Sequence, residues 1–325
     1  MTFKIGPVHR NVPHLLADLV ELLLVVGYDK MTHIARQSAE AIVVASEAHS
    51  EELDEQEAEA SSSESDAEKH DFSFVAMDDV WKVLSYRDKF FGENYPFDID
   101  GDSIRPSSEL TEGGRIYRLL LACSRLKSFS RQQRAEWARG FAALSAFALK
   151  QGMPKAAQVR IFDANSDDRK NYYSTNLREA LKILGIDLHA FFINHAECDK
   201  SSSSGDASLD IVGIYPFLDG AAGTLAILGQ CAARETEWPS KRFEGNPATL
   251  STYFTLTSTP QHVTFIPLSF RLSTGSWVDA SKVTGTLVLD RGRILNLALL
   301  SDDLTPILEA EWFKKFEEAI NITVA

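Results

Sequence analysis

Cysteine is scarce in this chain, and its spacing excludes a zinc knuckle. The 325 residues contain three cysteines, Cys123, Cys198 and Cys231, and no two of them form a CxxC pair. An odd and sparse cysteine count is typical of a protein in a reducing compartment. We therefore expect a cytoplasmic protein.

Long uninterrupted apolar runs and glycine-rich nucleotide motifs are also missing. The apolar stretch at residues 14–26 is interrupted by Asp18 and Glu21, so it is too short and too charged to cross a membrane, and no signal-peptide cleavage pattern follows it. We interpret it as a core helix that begins at Pro13 and ends at Gly27. Neither GxxxxGK[ST] nor GxGxxG occurs, so nucleotide-driven motor activity is not expected.

An excess of basic residues is absent as well. The chain has 46 acidic and 33 basic residues, a net charge of −13, which argues against a protein that coats DNA by charge alone. The charge is unevenly spread, because residues 46–71 hold 11 acidic residues and one lysine. The rest of the chain has a net charge of only −3 and can carry a local basic groove.

The acidic residues concentrate in a low-complexity tract at residues 47–71, which has too few apolar side chains to fold and is predicted to be mobile. A solvated linker is the simple interpretation, and an acidic mimic of DNA that shields a basic cleft is the alternative. The tract lies inside an otherwise helical region, residues 1–150, which we predict to be an all-α domain. Residues 95–106 are predicted to form a loop within it.

Two predicted helices of this domain, at residues 114–127 and 130–150, carry a cluster of arginines. A solvated helix face is one interpretation of the cluster. The other is a surface that contacts the phosphates of a nucleic acid. The candidate nucleic-acid-binding residues are Arg115, Arg118, Arg131 and Arg134.

The most informative stretch is a predicted β-hairpin at residues 209–232. Two apolar runs flank the glycine-rich turn LDGAAG, and neither run shows the polar alternation of a solvated strand. Both strands should therefore lie buried in the centre of a sheet. Asp210 and Gln230 break the apolar pattern. A buried carboxylate is unfavourable unless it is paired or binds a metal, and an amide can add a neutral oxygen ligand.

These residues resemble the core of the PD-(D/E)xK nuclease superfamily, which includes many restriction endonucleases. In that core an acid lies on the first strand of a hairpin, and a second acid and a lysine lie on the next strand. Here Asp210 takes the first position, Gln230 the second and Ala232 the position of the lysine, for which Lys241 can substitute. The similarity covers residues 172–241 and extends to a divergent bacterial branch with a GQCA strand.

The resemblance implies a fold and an activity for the C-terminal part. Residues 151–325 should form a restriction-endonuclease-like α/β domain with a mixed central sheet. Asp210, Gln230 and Lys241 would be catalytic. A Mg²⁺ or Mn²⁺ ion would be held by Asp210, Gln230 and the backbone carbonyl of Cys231, with Glu179 as a further candidate ligand. The expected activity is hydrolysis of DNA phosphodiester bonds in bacterial restriction or anti-phage defence, with DNA and a partner subunit or a second copy as partners.

Three alternatives remain open on the sequence. The fold can be that of an inactive nuclease-like subunit that binds DNA or a partner protein, in which Asp210 and Lys241 form an ion pair. Glu179 can pair with Lys182 instead of facing a metal. The chain can also be a helical scaffold without a role on nucleic acids.

Overall fold

The computed structural model describes residues 3–6, 12–48 and 66–321. The chain groups into two compact units. The first comprises Met1–Trp137, Leu268–Val278 and Leu308–Ala325, and the second comprises Ala138–Pro267 and Asp279–Ile307. The contacts thus group the C-terminal residues with the N-terminal region. The predicted division at residue 150 had placed them in the C-terminal domain. Of the predicted mobile tract at 47–71, residues 49–65 lie outside the described residues, and the flanking residues are helical.

The described residues contain twelve α-helices and ten short strands, joined by loops and turns. The helices are α1 (Pro13–Val25), α2 (Arg36–Ala48), α3 (Asp66–Phe91), α4 (Glu112–Ser124), α5 (Arg131–Gly152), α6 (Leu177–Asp187), α7 (His195–Lys200), α8 (Trp238–Lys241), α9 (Pro247–Leu250), α10 (Arg291–Ala298), α11 (Thr305–Leu308) and α12 (Glu311–Asn321). The strands are β1 (Ile34–Ala35), β2 (Phe97–Asp100), β3 (Ser103–Pro106), β4 (Gln158–Ile161), β5 (Phe192–Ile193), β6 (Ile211–Tyr215), β7 (Leu225–Cys231), β8 (Phe254–Thr255), β9 (Gln261–Phe265) and β10 (Leu287–Leu289). None of the helices in the described part is both long enough and apolar enough to cross a bilayer.

Helix α1 forms the centre of the first unit, and its two acidic residues are buried rather than solvated. Asp18 and Glu21 are at most 1% exposed. The guanidinium of Arg87 on α3 lies 2.7 Å from the Asp18 carboxylate and 2.9 Å from that of Glu21. The hydroxyls of Tyr95 and Tyr117 donate hydrogen bonds to Glu21. The charges that interrupt the apolar run therefore belong to a buried, paired network.

The N-terminal region is not all-α, because it contains a small antiparallel sheet in the order β1-β3-β2. The predicted loop at residues 95–106 is the hairpin of β2 and β3. Gly101 takes a positive φ of 57° in its two-residue turn, a conformation that glycine adopts without strain. The hairpin was not predicted from the sequence because aspartate is rare in strands, and β2 contains both Asp98 and Asp100.

The second unit contains a five-stranded mixed sheet in the order β10-β9-β7-β6-β4. Strands β4, β6 and β7 pair antiparallel, and β7, β9 and β10 pair parallel. The structure thus confirms that the chain contains an α/β unit with a mixed sheet as well as a mainly helical region. Leu181 and Leu184 on α6 share a core cluster with Val212 and Leu228, so α6 covers one face of the sheet. On the other face a Cβ added at Gly213 would lie 2.6 Å from the Met153 sulfur.

Two segments of this unit are helical at places where an apolar run by itself favours a strand. Residues 187–193 do not form one strand, because Asp187 ends α6 and only Phe192–Ile193 pairs, with β8. The apolar run that follows Asp290 is helix α10, because the Asp290 carboxylate accepts a hydrogen bond from the Arg293 N–H as an N-cap. In both places local hydrogen bonding at a helix end decided the structure.

Candidate metal site

Asp210 and Gln230 lie directly beyond the last residues that pair β6 with β7. Ile211 pairs with Gly229, so Asp210 precedes this pair and Gln230 follows it. The Asp210 N–H donates to the Gly229 carbonyl at 3.0 Å, and the Phe162 N–H donates to the Asp210 carbonyl at 2.7 Å. The predicted hairpin is therefore present, and it brings the backbones of Asp210 and Gln230 to the same end of the two strands.

The Asp210 carboxylate is partly buried and is held by a backbone amide. The Cys231 N–H donates to Asp210 Oδ2 at 2.7 Å. Burial, together with the charges of Asp206 and Asp163, raises the pKa of Asp210 to about 7, against the Cys231 hydrogen bond that lowers it. The observed contact at Cys231 thus uses its N–H, whereas the resemblance pointed to its carbonyl. Burial also raises the pKa of the Cys231 thiol, so this cysteine is no activated nucleophile.

Two further aspartates join Asp210. Asp163, Asp206 and Asp210 each offer a carboxylate oxygen, and these oxygens all lie within 4.8 Å of one another. Asp163 follows β4, and β4 runs antiparallel to β6, so the end of β4 meets the start of β6. Asp206 comes from the serine-rich loop before β6. Sequence reasoning missed both. The local signal for Asp163 was the acid that ends the short stretch AQVRIFD at residues 157–163.

The turn between Asp206 and Asp210 is tightly determined. The Asp206 carboxylate accepts a hydrogen bond from the Ser208 N–H at 2.9 Å, and the Asp206 carbonyl accepts one from the Leu209 N–H at 3.1 Å. Ser208 has a positive φ of 58°. The segment after α8 packs against this turn, since a Cβ added at Gly245 would lie 2.4 Å from the Ser208 carbonyl oxygen. Asp206 is therefore presented to the site by a structured turn.

Gln230 carries a buried amide oxygen and directly precedes Cys231, whose N–H binds Asp210. The residue is 5% exposed, and its buried Oε1 has no hydrogen-bond partner among the residues that the structure describes. A buried acceptor without a partner costs about 1–3 kcal/mol. Carboxylate and amide oxygens together are the hard ligands that Mg²⁺, Mn²⁺ and Ca²⁺ prefer. The three aspartate carboxylates therefore suit a hard divalent cation.

Lys241 lies at the end of α8, within electrostatic range of the acidic group. Its positive charge lowers the pKa of Asp210, although burial dominates that pKa. The nearest carboxylate is that of Glu244, at 3.6 Å from Lys241 Nζ, and the lysine side chain is 30% exposed. Within the described part of the chain no ion pair joins Lys241 to Asp210. The contact expected for an inactive site is thus not formed.

Glu179 does not join the acidic group. Its carboxylate lies 3.0 Å from Lys182 Nζ and is 54% exposed. Lys182 also pairs with Asp199, at 2.8 Å. Glu179 therefore makes the helix-surface ion pair that was the alternative interpretation for it.

The predicted arginine cluster lies in the first unit and is divided by its environment. Arg115 donates two hydrogen bonds of 2.6 Å to the Glu317 carboxylate. Arg118 is half-buried, and this burial lowers its pKa. Arg131 and Arg134 are exposed. Arg131 and Arg134 thus present their charge to solvent, whereas Arg115 is paired with Glu317 and Arg118 is half-buried.

Comparisons with models of protein families, with curated proteins and with solved structures found no match to this chain. The hairpin and the three converging aspartates are therefore the features of the chain that bear on its chemistry.

Proposed function

We propose that this chain is a divalent-metal-dependent hydrolase of DNA phosphodiester bonds. The observation that carries the proposal is that carboxylate oxygens of three aspartates lie within 4.8 Å of one another. Gln230, on the neighbouring strand, adds a buried amide oxygen that has no hydrogen-bond partner in the described residues. Like charges held this close repel one another, and burial adds to the cost. A bound cation would offset both the repulsion and the cost of burial, so cation binding explains why the three aspartates lie together, whereas packing alone does not.

Mg²⁺ or Mn²⁺ bound here would polarise a phosphoryl oxygen and lower the pKa of a bound water. Asp163, Asp206 and Asp210 would hold the ion, and Gln230 would contribute its amide oxygen. Lys241 would stabilise negative charge that develops on the phosphate, because its ammonium group is near enough to lower the pKa of Asp210 and is partly open to solvent. The chain then supplies both the ligands and a cation for phosphodiester hydrolysis.

The residues after Lys241 form a surface suited to a nucleic-acid strand. The Arg242 guanidinium lies 4.5 Å from the centroid of the Phe243 ring and donates to the Ser281 carbonyl. Phe243 is 53% exposed. Aromatic rings and adjacent guanidinium groups bind bases and phosphates in many nucleic-acid-binding proteins. This surface adjoins the site, because Gly245 packs against Ser208. From the resemblance we further propose bacterial restriction or anti-phage defence as the setting, with a partner subunit or a second copy.

The second candidate function is a nuclease-like subunit that binds DNA or a partner protein without cleaving it. One observation favours it. Ala232 takes the position at which the resemblance expects a lysine, and it is fully buried. Lys241 can replace that lysine only if it turns from Glu244 toward the substrate.

The experiment is DNA cleavage by the purified chain in Mg²⁺ or Mn²⁺, with Asp210→Asn compared to wild type. Asp219→Asn is the matched control, because Asp219 lies in the turn of the same hairpin and only caps the Ala221 N–H. We expect cleavage by wild type and by the control, and loss of cleavage in Asp210→Asn. Equal cleavage by all three proteins refutes the site. DNA and metal binding without cleavage by wild type supports the second candidate.

A further inference from the structure

Arg169 is a fully buried arginine in a π-helical turn, Arg169–Tyr173, between β4 and α6. Its Nε donates to the Ser174 carbonyl at 3.0 Å. Its Nη1 donates to the carbonyls of Phe162 at 3.0 Å and Gly205 at 3.2 Å, and the guanidinium lies 4.6 Å from the centroid of the Phe162 ring. One side chain thus binds three backbone carbonyls, two of them within seven residues of Arg169 and the third 36 residues away.

Two of these segments lead directly into the acidic group. Phe162 precedes Asp163, and Gly205 precedes Asp206. Because Arg169 binds the carbonyl just before each aspartate, it fixes the backbone from which both carboxylates project. Asp210 is held separately, by the Cys231 amide. The relative position of the three carboxylates therefore depends on this guanidinium.

The positive charge of Arg169 also interacts with the two aspartates that follow the carbonyls it binds. Burial disfavours the charged form and lowers the pKa of Arg169, while the charges of Asp206 and Asp163 oppose that effect. Its Nη2 is buried and has no hydrogen-bond partner within the described residues. A buried guanidinium is tolerated only with compensating carboxylates, and here the nearby carboxylates are those of the site.

We propose that Arg169 is the positioning residue of the acidic site, and that it sets the affinity of the site for a divalent cation. The inference rests on the proposed function only for the identity of the bound ion. A lysine cannot replace it, because a guanidinium has five donors in a fixed plane, and an ammonium cannot reach three carbonyls on separate segments. Ser174, with a positive φ of 118°, directs one of these carbonyls to the guanidinium. A strained residue and a π-helical turn next to a site are features found at functional positions.

The test measures Mn²⁺ binding to the full chain by electron paramagnetic resonance, for wild type, Arg169→Lys and Arg178→Lys. Arg178 is the matched control, because its Nε binds the Ser201 carbonyl of the same loop with a single hydrogen bond, away from Asp206. Changes that disturb the orientation of metal ligands typically weaken binding by about 10- to 100-fold, so we expect at least ~10-fold for Arg169→Lys and under ~2-fold for Arg178→Lys. In Arg169→Gly, added guanidinium ion at low millimolar concentration should restore Mn²⁺ binding, whereas added sodium ion should not.

Hydrogen exchange of the metal-free proteins gives a readout that is independent of any ion. Arg169→Lys should speed amide exchange at residues 203–208, and Arg178→Lys should leave the Asp206 amide unchanged. Wild-type Mn²⁺ affinity together with unchanged exchange in Arg169→Lys overturns the inference, as does the absence of rescue by guanidinium ion. If wild type binds no Mn²⁺, the proposed hydrolase is refuted, and exchange at residues 203–208 alone decides on Arg169.

Discussion

Asp210→Asn should stabilise the metal-free protein near pH 8 while it abolishes metal binding. The folded structure forces the Asp210 carboxylate into a partly buried place beside two other acids, so its ionised form is disfavoured. Asparagine keeps an oxygen that can accept the Cys231 N–H, and it removes the charge. The substitution therefore relieves an electrostatic cost without opening a cavity.

The magnitude follows from the two pKa values. Asp210 has a pKa of about 7 in the folded protein against an ordinary value of 3.8. At about 1.36 kcal/mol for each pH unit this difference corresponds to roughly 4 kcal/mol, and we expect about half of it because water screens a partly exposed carboxylate. The folded state retains a proton that the unfolded chain has already released. The free energy of unfolding of wild type therefore falls as the pH rises from about 4 to about 7, and this contribution is constant at higher pH.

The assay is urea denaturation of wild type and Asp210→Asn in EDTA, at intervals from near pH 4 to near pH 8. The two proteins should be equally stable near pH 4, and the mutant should be more stable by about 2 kcal/mol above pH 7. Asp219→Asn, on the exposed turn, should follow wild type throughout. Added Mn²⁺ should raise the melting temperature of wild type but not that of Asp210→Asn. A mutant that is less stable than wild type near pH 8 refutes the argument that burial disfavours this charge.

Three other substitutions test separate parts of the structure. Gln230→Leu removes the unpartnered buried oxygen, so the metal-free protein should lose no stability in urea, and Mn²⁺ affinity should fall by about 10-fold. Lys241→Gln should slow cleavage by about 100-fold and leave Mn²⁺ affinity within ~3-fold of wild type. Lys282→Gln, which changes an exposed lysine, is the control and should cleave at the wild-type rate. A loss of Mn²⁺ affinity in Lys241→Gln as large as its loss of cleavage would contradict the role given to Lys241. Arg87→Met leaves two buried carboxylates of α1 without their cation and should lower the free energy of unfolding by about 3–5 kcal/mol, and a change below 1 kcal/mol would contradict the pairing described.

Half of the candidate site could be predicted from the sequence. Asp210 and Gln230 were found because they interrupt two apolar strands, and the antiparallel pairing of those strands was predicted from the glycine-rich turn between them. Asp163 and Asp206 were missed for a physical reason. Their approach to Asp210 requires the pairing of β4 with β6 and the anchoring of a serine-rich loop by Arg169, and both are long-range contacts that no local pattern encodes.

The same distinction holds for the fold. Helices α4 and α5 were predicted closely, because the apolar spacing is a local signal. The hairpin of β2 and β3 was missed, since strands rich in aspartate are stabilised by their pairing with neighbours and not by their own propensity. The terminal residues were assigned to the C-terminal domain because sequence order alone gives no sign that they belong with the first unit.

The membership of α12 in the first unit has a consequence for synthesis of the chain. Phe316 packs edge-on against Trp137 at 5.2 Å, and Glu317 holds Arg115 with two hydrogen bonds. These contacts cannot form until residues 311–321 have left the ribosome, by which time all of the second unit has been translated. The region made first is therefore completed last. Premature termination near residue 310 would leave a translated but unfinished N-terminal core, exposed to proteases and chaperones.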